Sequence, residues 1–372
     1  MRIAHVSDCY LPRLGGIERQ VSELAVRQQL TGHEVQVITS VGGAAADGPV
    51  RVHRPEPFGD GGIRYRSSHR GAALVAREDY DLVHVHLSTW SPLAFLAARA
   101  ACRAGIPVAA TVHSLWNRMT PVWRASASTL DWRSWPVAWS AVSAAAAAPV
   151  SAAIGAGPVT IIPNGIDPDE WTLPAHPSDP NRVVLASVMR LAPRKRPRQL
   201  LRMLAAVRKA VPASIRLEAV LIGDGPMRPQ VEQDVRRLGI SDWVALTGAL
   251  DPAAIRAVYR DADLYVAPAT LESFGIAALE ARAAGLPVIA RANTGVAEFV
   301  EHGTHGLLVD GDRGMVDALV RLATRPDLRA WVGAHNRTHR PHVSWSRVLD
   351  DCAALYSRAA VLARRPAPVG VR

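Results

Sequence analysis

The chain is predicted to be an α/β protein of two doubly wound parallel-sheet domains, residues 1–165 and 166–343, with a closing helix and tail at 344–372. Three observations predict this. Apolar runs of strand length alternate with amphipathic segments of helix length through the first half, the pattern of strand–helix–strand crossovers. A stretch from Pro163 to Asn181, with Pro168, Pro174, Pro177 and Pro180 among polar residues, then interrupts the alternation like a linker. Beyond it the alternation restarts, and Ser344 to Leu362 closes the chain as an amphipathic helix. At 372 residues the chain can bury two cores of ordinary size.

In the first half, Ile3 to Ser7 reads as a strand, Gly16 to Thr31 as a helix and Glu34 to Thr39 as the next strand. Asp81 to His86 and Val108 to His113 are two further strands, separated by a helix from Pro92 to Ala104 that Gly105 stops. Ligands of such sheets bind beyond the carboxyl ends of the strands. The loop Leu14-Gly15-Gly16-Ile17, His86 and His113 all fall there. His84 and His86 share one strand face at a spacing that could hold a metal. No carboxylate or third ligand joins them in sequence, so a packed strand end is the expectation. His113, taken alone, also reads as structural. Trp116, Trp123, Trp132, Trp135 and Trp139 crowd one segment before a run of alanines. They read as a helical region packed on the sheet, or as an acceptor or membrane-interface surface with one wet side. Val159 to Ile162 is a strand closed by the turn Pro163-Asn164-Gly165-Ile166-Asp167.

In the second half, Arg182 to Val188 is a strand, Arg198 to Ala210 a helix, and Glu218 to Ile222 a strand ending in Gly223-Asp224-Gly225-Pro226. Gln230 to Leu238 and Pro252 to Ala262 are helices around the strand Trp243 to Thr247. The stretch that organises the chain follows. Leu264 to Ala267 is a buried strand before Pro268, and Ala277 to Ala284 is an alanine-rich helix with Ser273 as a fair N-cap. Glu272 lies in the loop between them, Gly275 permits close backbone approach, and Glu280 lies about two turns in. Free amides of a helix N-terminus, with carboxylates beside them, suit the phosphates and hydroxyls of a sugar nucleotide. A plain crossover carrying a solvated Glu is the other reading of this stretch. Pro287 to Ala290 and Gly306 to Val309 complete the strands.

Met189-Arg190-Leu191-Ala192-Pro193-Arg194-Lys195 ends a strand with two cations, Arg190 and Lys195, as a diphosphate would require. Arg194, Arg196 and Arg198 read as a solvated loop. Gly15-Gly16 could bring amides to the same phosphate. Neither glycine pair completes a dinucleotide fingerprint, which argues against a dehydrogenase.

The formal charge is +10, almost all of it arginine; Lys195 and Lys209 are the only lysines. The basic residues are spread along the chain without a basic run interleaved with aromatics, so nucleic acid is not an expected partner. Peripheral contact with an anionic membrane stays open. No apolar run is long enough to span a bilayer, and the strand pattern begins at once after Met1, leaving no room for a signal peptide. Cys9, Cys102 and Cys352 are too scattered for a disulfide framework or a cysteine-based zinc site. A cytoplasmic location, possibly peripheral at the inner face of the membrane, is expected.

Several motifs in fixed order resemble glycosyltransferase family 4, whose retaining members have the GT-B architecture. They are Gly15-Gly16-Ile17-Glu18, Pro163 to Asp167, the loop from Arg190 to Lys195, and Glu272 with Glu280. Gly295-Val296-Ala297-Glu298-Phe299-Val300, Gly303 to Val309, and Ser344-Trp345 continue the series, so the resemblance runs almost end to end. It implies two doubly wound Rossmann-like domains facing a central cleft, with the last helix crossing back to the first domain.

The resemblance further implies transfer of a hexosyl unit of glucose, N-acetylglucosamine or mannose type from a nucleotide-diphosphate sugar to an acceptor hydroxyl, with retention. Arg190 and Lys195 would bind the donor diphosphate, and Glu280 the ribose hydroxyls. Glu272 would contact hydroxyls of the transferred sugar, and the amides of Phe274, Gly275, Ile276 and Ala277 would steady sugar and phosphate. His113 matches the histidine placed beside the transferred sugar. No cofactor and no divalent metal is implied. The acceptor, whether glycan, lipid or small metabolite, is left open, as is the oligomeric state. A sugar-nucleotide epimerase of the same architecture and a non-catalytic sugar-nucleotide-binding protein are the alternatives. Family members often carry Gly where this chain has Met189, Arg196 and Thr294.

Overall fold

A computed structural model describes residues 1–13, 15–43, 48–54, 64–117, 119–155, 157–175 and 179–364. Leu14 of the first glycine loop and 176–178 of the proline-rich stretch lie outside the described residues. The chain forms two compact units, Met1–Gly165 with the chain from Trp345 onward, and Ile166–Ser344.

The first unit runs β1 (Arg2–Ser7), α1 (Gly16–Leu30), β2 (Glu34–Thr39), β3 (Arg51–His53), α2 (Arg64–Arg77), β4 (Leu82–Leu87) and α3 (Pro92–Arg103). It continues with β5 (Val108–Val112), α4 (Thr120–Leu130), β6 (Val137–Ala141), α5 (Ala144–Ile154) and β7 (Thr160–Ile161). The seven strands pair in parallel in the order β3-β2-β1-β4-β5-β6-β7. Leu82–Leu87 is buried along its whole length, so His84 and His86, which share one of its faces, lie inside the unit. The final helix, Trp345–Ala363, belongs to this unit. Its Val348, Cys352, Leu355 and Ala359 join Ile3, Val37, Leu82 and Ala109 in one core.

The tryptophan-rich segment is not a single helical region. Trp123 lies on α4, Trp132 on a 3-10 turn (Trp132–Ser134) and Trp139 in strand β6, which the surrounding Trp and Ala residues concealed. Phe95 of α3 gathers Trp123, Trp132 and Trp135 at ring-centroid distances of 6.4, 6.1 and 5.0 Å, and Trp116 stacks on Trp123 at 4.9 Å. Trp116 and Trp132 are buried. The packing reading thus holds for these rings, though over strand, turn and helix together.

The second unit runs α6 (Pro168–Trp171), β8 (Arg182–Val188), α7 (Pro197–Ala210), β9 (Arg216–Ile222), α8 (Arg228–Arg237), β10 (Val244–Gly248) and α9 (Pro252–Asp261). It closes with β11 (Leu264–Ala267), α10 (Ile276–Ala283), β12 (Val288–Arg291), β13 (Gly306–Val309), α11 (Gly311–Thr324) and α12 (Pro326–Thr338). Its strands are ordered β10-β9-β8-β11-β12-β13, again parallel, over a core from Val183 and Leu185 to Leu319 and Leu322. The proline-rich stretch is not a bare linker. Asp167 caps α6 by accepting from the Asp169 amide, and Trp171 is buried against Tyr259, 5.9 Å between rings. None of the described helices is long and apolar enough to cross a membrane.

Candidate active site

The strand order of the second unit reverses between β8 and β11, and loops after two such strands flank a crevice where ligands bind. β8 ends on Arg190. The loop behind it is clamped, with Met189 N–H donating to the Ile222 carbonyl and Leu191 N–H to the Asp224 carbonyl, both at 2.9 Å. Gly223 makes the clamp possible. Its φ is +133°, and a Cβ there would overlap the Met189 carbonyl. Gly223-Asp224-Gly225 therefore braces the cationic loop. The Arg190 side chain is exposed and has no hydrogen-bond or ion-pair partner among the described residues.

β11 ends on the loop that carries Glu272. The Glu272 carboxylate forms an ion pair with the Lys195 ammonium, both side chains largely buried at 15% and 21% exposure. The structure thus joins two residues assigned to different parts of a donor. The Glu272 carbonyl accepts from the Gly295 amide at 2.9 Å, which fixes the loop against the turn after β12. Gly275, not Ser273, precedes the helix, and no side chain caps it. Its φ is +94° and a Cβ would collide with Val296, so only glycine fits. In the first turn of α10 the Ala278 amide donates to the Gly275 carbonyl at 2.9 Å, the amides before it lie at the positive end of the helix, and the turn contains no acid. Glu280 is buried, in the second turn of α10. Phe274 is buried at 1% exposure and packs on Phe299. Tyr259 donates to the Ala277 carbonyl and Tyr265 to the Val188 carbonyl, each at 3.1 Å, so two buried phenols tie α10 to α9 and the end of β8 to β11.

Arg196 and Arg198 are not the solvated residues expected of this loop. Arg196 donates two bonds to Asp312 at 2.8 and 2.7 Å, and Arg291 pairs with the same carboxylate. Both guanidinium groups hold the Asp312 carboxyl below its ordinary value, Arg196 first. Arg198 donates to buried Asp234, which is likewise lowered by that bond. Arg196 has φ +60°, a left-handed conformation that glycine adopts at least cost. Arg194 is exposed, as expected.

In the first unit, Gly15 and Gly16 are exposed at the start of α1. The Glu18 carboxylate, buried and paired with Arg13 at 3.1 Å, lies against Gly15. His113 follows β5 and its N–H donates to the Leu87 carbonyl at 2.8 Å. Its imidazole joins a buried row that the sequence did not reveal. His113 Nε2 meets His86 Nδ1 at 3.0 Å, and His86 Nε2 meets His5 Nδ1 at 2.8 Å. His5 is the missing third neighbour of His84 and His86. Parallel register sets it beside His84, and ring nitrogens of all three lie within 4.8 Å of one another. Burial lowers His5 and His113 to about 4 and pushes His84 and His86 well below the ordinary 6.5. The Asn164 side chain opposes the His113 shift.

Two doubly wound parallel sheets, the second with cations and an uncapped helix at its switch point, define the GT-B class. Consistent with this, the Anabaena protein HepE, crystallised with UDP and glucose, superposes with a TM-score of 0.73 at 22% identity, over 96% of this chain and 99% of HepE. The chain belongs to glycosyltransferase family 4: residues 14–170 match the family of that name, and residues 171–337 match the family described as Glycosyl transferases group 1. It is 32% identical to D-inositol 3-phosphate glycosyltransferase of Actinosynnema mirum over 75% of this chain and 73% of that protein. A protein of the same name from Rhodococcus erythropolis is 36% identical over 49% of this chain and only 43% of its own length.

Proposed function

We propose that the protein transfers a hexosyl unit from a nucleotide-diphosphate sugar to an acceptor hydroxyl with retention of configuration. The observation that carries this reading is the Lys195–Glu272 pair beside unpartnered Arg190 and the uncapped start of α10, all at the switch point of the second sheet. Arg190, Lys195 and the amides of Phe274 to Ala277, at and just before the start of α10, stabilise negative charge on the leaving diphosphate. Glu280 accepts bonds from the ribose hydroxyls. Lys195 exchanges its Glu272 partner for the diphosphate, and the released carboxylate faces the transferred sugar, where positive charge develops. The bond from the anomeric carbon to the diphosphate breaks and the acceptor oxygen bonds that carbon on the same face. The acceptor proton passes to a leaving phosphate oxygen. Every charge in this scheme comes from the chain and its substrates, so no divalent metal is needed.

HepE's complex with UDP and glucose supports a uridine diphosphate sugar as donor, and the name of the actinobacterial relatives supports a small polyol phosphate as acceptor. A thermal-shift screen against UDP-, GDP- and ADP-sugars tests the reading, because a bound donor raises the melting temperature. The donor that does so should then yield product with the anomeric configuration of the donor, read by proton NMR. An inverted product, or no shift with any nucleotide sugar, would overturn it.

A further inference from the structure

The second unit has a cleft of about 80 Å³ at the edge of its sheet opposite the candidate active site. Asp263 and Pro287, which immediately precede β11 and β12, stand on its wall, whereas the Glu272 loop follows β11. Among the described residues, three arginines line this cleft, Arg260, Arg329 and Arg337, against the one carboxylate of Asp263.

Arg329 is only 3% exposed. Its Nη1 donates to the Leu322 and Ala323 carbonyls, at 2.8 and 2.9 Å, and so caps the last turn of α11. Its Nε and Nη2 are buried and have no hydrogen-bond partner. These two nitrogens form one edge of the planar guanidinium, the edge that matches an oxyanion. Arg182 grips Glu218 with that edge at 3.0 and 2.8 Å, and Arg325 grips Asp327 with it at 3.1 and 2.8 Å. In Arg329 the same edge has no acceptor. Burial lowers the Arg329 guanidinium below its ordinary value. The charge of Asp263, whose carboxylate accepts from the Val184 amide at 2.8 Å, opposes this without bonding that edge. Burial lowers Arg337 as well. Its stem crosses Gly285, where a Cβ would overlap it, and its guanidinium lies beside Gly333. Neither half-buried Arg337 nor exposed Arg260 has a hydrogen-bond or ion-pair partner among the described residues. A buried donor edge without an acceptor carries a free-energy cost, which an anion would remove.

We propose that this cleft binds a phosphate dianion, as inorganic phosphate or as the phosphate of a small monoester. Its excess of two positive charges suits a dianion, and the Arg329 edge takes two phosphate oxygens as a fork. Arg337 and Arg260 supply the further donors. A monocarboxylate would fill the fork but leave a positive charge unmatched. The bland alternative is an arginine whose cap of α11 is its whole role. That role uses Nη1 alone and assigns nothing to Arg337, which bonds no carbonyl among the described residues. The site is built wholly from the second unit and does not depend on the proposed glycosyl transfer.

The test titrates inorganic phosphate into the whole chain labelled with 15N-arginine, at constant ionic strength and slightly above neutral pH, and reads the Nε–H signals by proton–nitrogen NMR. The Arg329 and Arg337 signals should move together, with a dissociation constant in the millimolar range or below. Arg190→Ala removes a cation of the candidate donor site and should leave that constant unchanged. Arg337→Met keeps an apolar stem over Gly285 and should weaken phosphate binding at least tenfold, with the melting temperature of the free protein maintained. Arg329→Lys keeps the charge but loses the fork and should weaken it likewise; because that change also removes a cap of α11, Arg337→Met decides. Arg329 and Arg337 signals that stay in place, or an Arg337→Met protein that binds phosphate as the wild type does, overturn the proposal. Loss of the phosphate response in Arg190→Ala places the anion at the donor site and overturns it too. Acetate at the same ionic strength should leave both signals in place, and equal movement overturns the dianion assignment. Methyl phosphate separates the two sources. Binding as tight as that of inorganic phosphate supports a monoester as the ligand, and weaker binding supports free phosphate, on the same three arginines.

Discussion

Lys195 and Glu272, 77 residues apart, form an ion pair between the loops that end β8 and β11. The pair keeps the cation and the carboxylate in place and neutral as a unit before a ligand arrives. Donor binding has to divide it, so the two residues are energetically coupled.

Glu272→Gln should therefore act on two quantities in opposite directions. The carboxylate that stabilises a developing oxocarbenium is lost, and kcat should fall about a hundredfold for an interaction of ~2.7 kcal/mol. Lys195 is released at the same time, so the nucleoside diphosphate should bind at least as tightly as to the wild type. Glu280→Gln should mainly raise the donor KM, as expected where an interaction is the same in ground and transition states. Steady-state kinetics with calorimetric binding of the diphosphate separates the two; a Glu272→Gln enzyme changed only in KM would make that carboxylate a binding group.

Asp312 is expected to matter more for stability than either arginine it holds. Asp312→Ala leaves Arg291, 7% exposed, without its carboxylate and frees Arg196 from its bidentate bond. We expect a loss of about 2 kcal/mol, below the range for a fully buried pair because Asp312 is half exposed. Arg196→Gly loses the same bond but relieves a left-handed backbone, and should change stability by under about 1 kcal/mol. Urea unfolding of the two variants gives the order, and a larger loss in Arg196→Gly would reverse it.

Much of this was legible in the chain, and the remainder was hidden for definable reasons. The strand Leu264–Ala267, the loop with Glu272 and the alanine-rich helix could be read because local propensity and fold agree there. The Arg190 to Lys195 loop announced its charge. What sequence could not supply was register and long-range pairing. His5 stands beside His84 only because β1 and β4 pair in parallel. Arg196 looked solvated because its partner, Asp312, lies 116 residues away. Trp139 hid strand β6, since tryptophan and alanine runs fit a helix equally well. Trp171 made a helical anchor of what prolines suggested was a linker.

The buried histidines set a pH dependence of stability. His5 and His113 titrate at about 4 in the fold against 6.5 outside it, because burial disfavours the charged ring, and His84 and His86 lie well below 6.5. Below 6.5 the unfolded chain takes up protons that the folded unit refuses. Stability is therefore full above that value and is lost as the pH falls from 6.5 towards 4. Each such histidine contributes a slope of about 1.4 kcal/mol per pH unit in that window. Urea midpoints of the first unit measured across it should fall steeply with acid, and a flat profile would mean that the rings charge within the fold.

Trp171→Ala should destabilise the second unit by about 3–5 kcal/mol, the usual cost of emptying a buried aromatic site. Tyr259 would lose its ring partner, and Arg256, which lies 5.7 Å from the Trp171 ring, would lose its cation–π contact. A melting temperature unchanged from the wild type would return the stretch to a bare linker.

The claim that the switch point of the second sheet grips a nucleotide diphosphate stands most directly on Arg190, exposed and unpaired among the described residues. Removing it should cost binding without breaking a hydrogen bond or ion pair of the guanidinium among the described residues. The measurement is the calorimetric Kd of the nucleoside diphosphate identified by the thermal-shift screen, for wild type and for Arg190→Ala. A charge-assisted contact of roughly 1.5–3 kcal/mol implies a Kd raised at least tenfold with an unchanged melting temperature of the free protein. The same Kd for both proteins would contradict it.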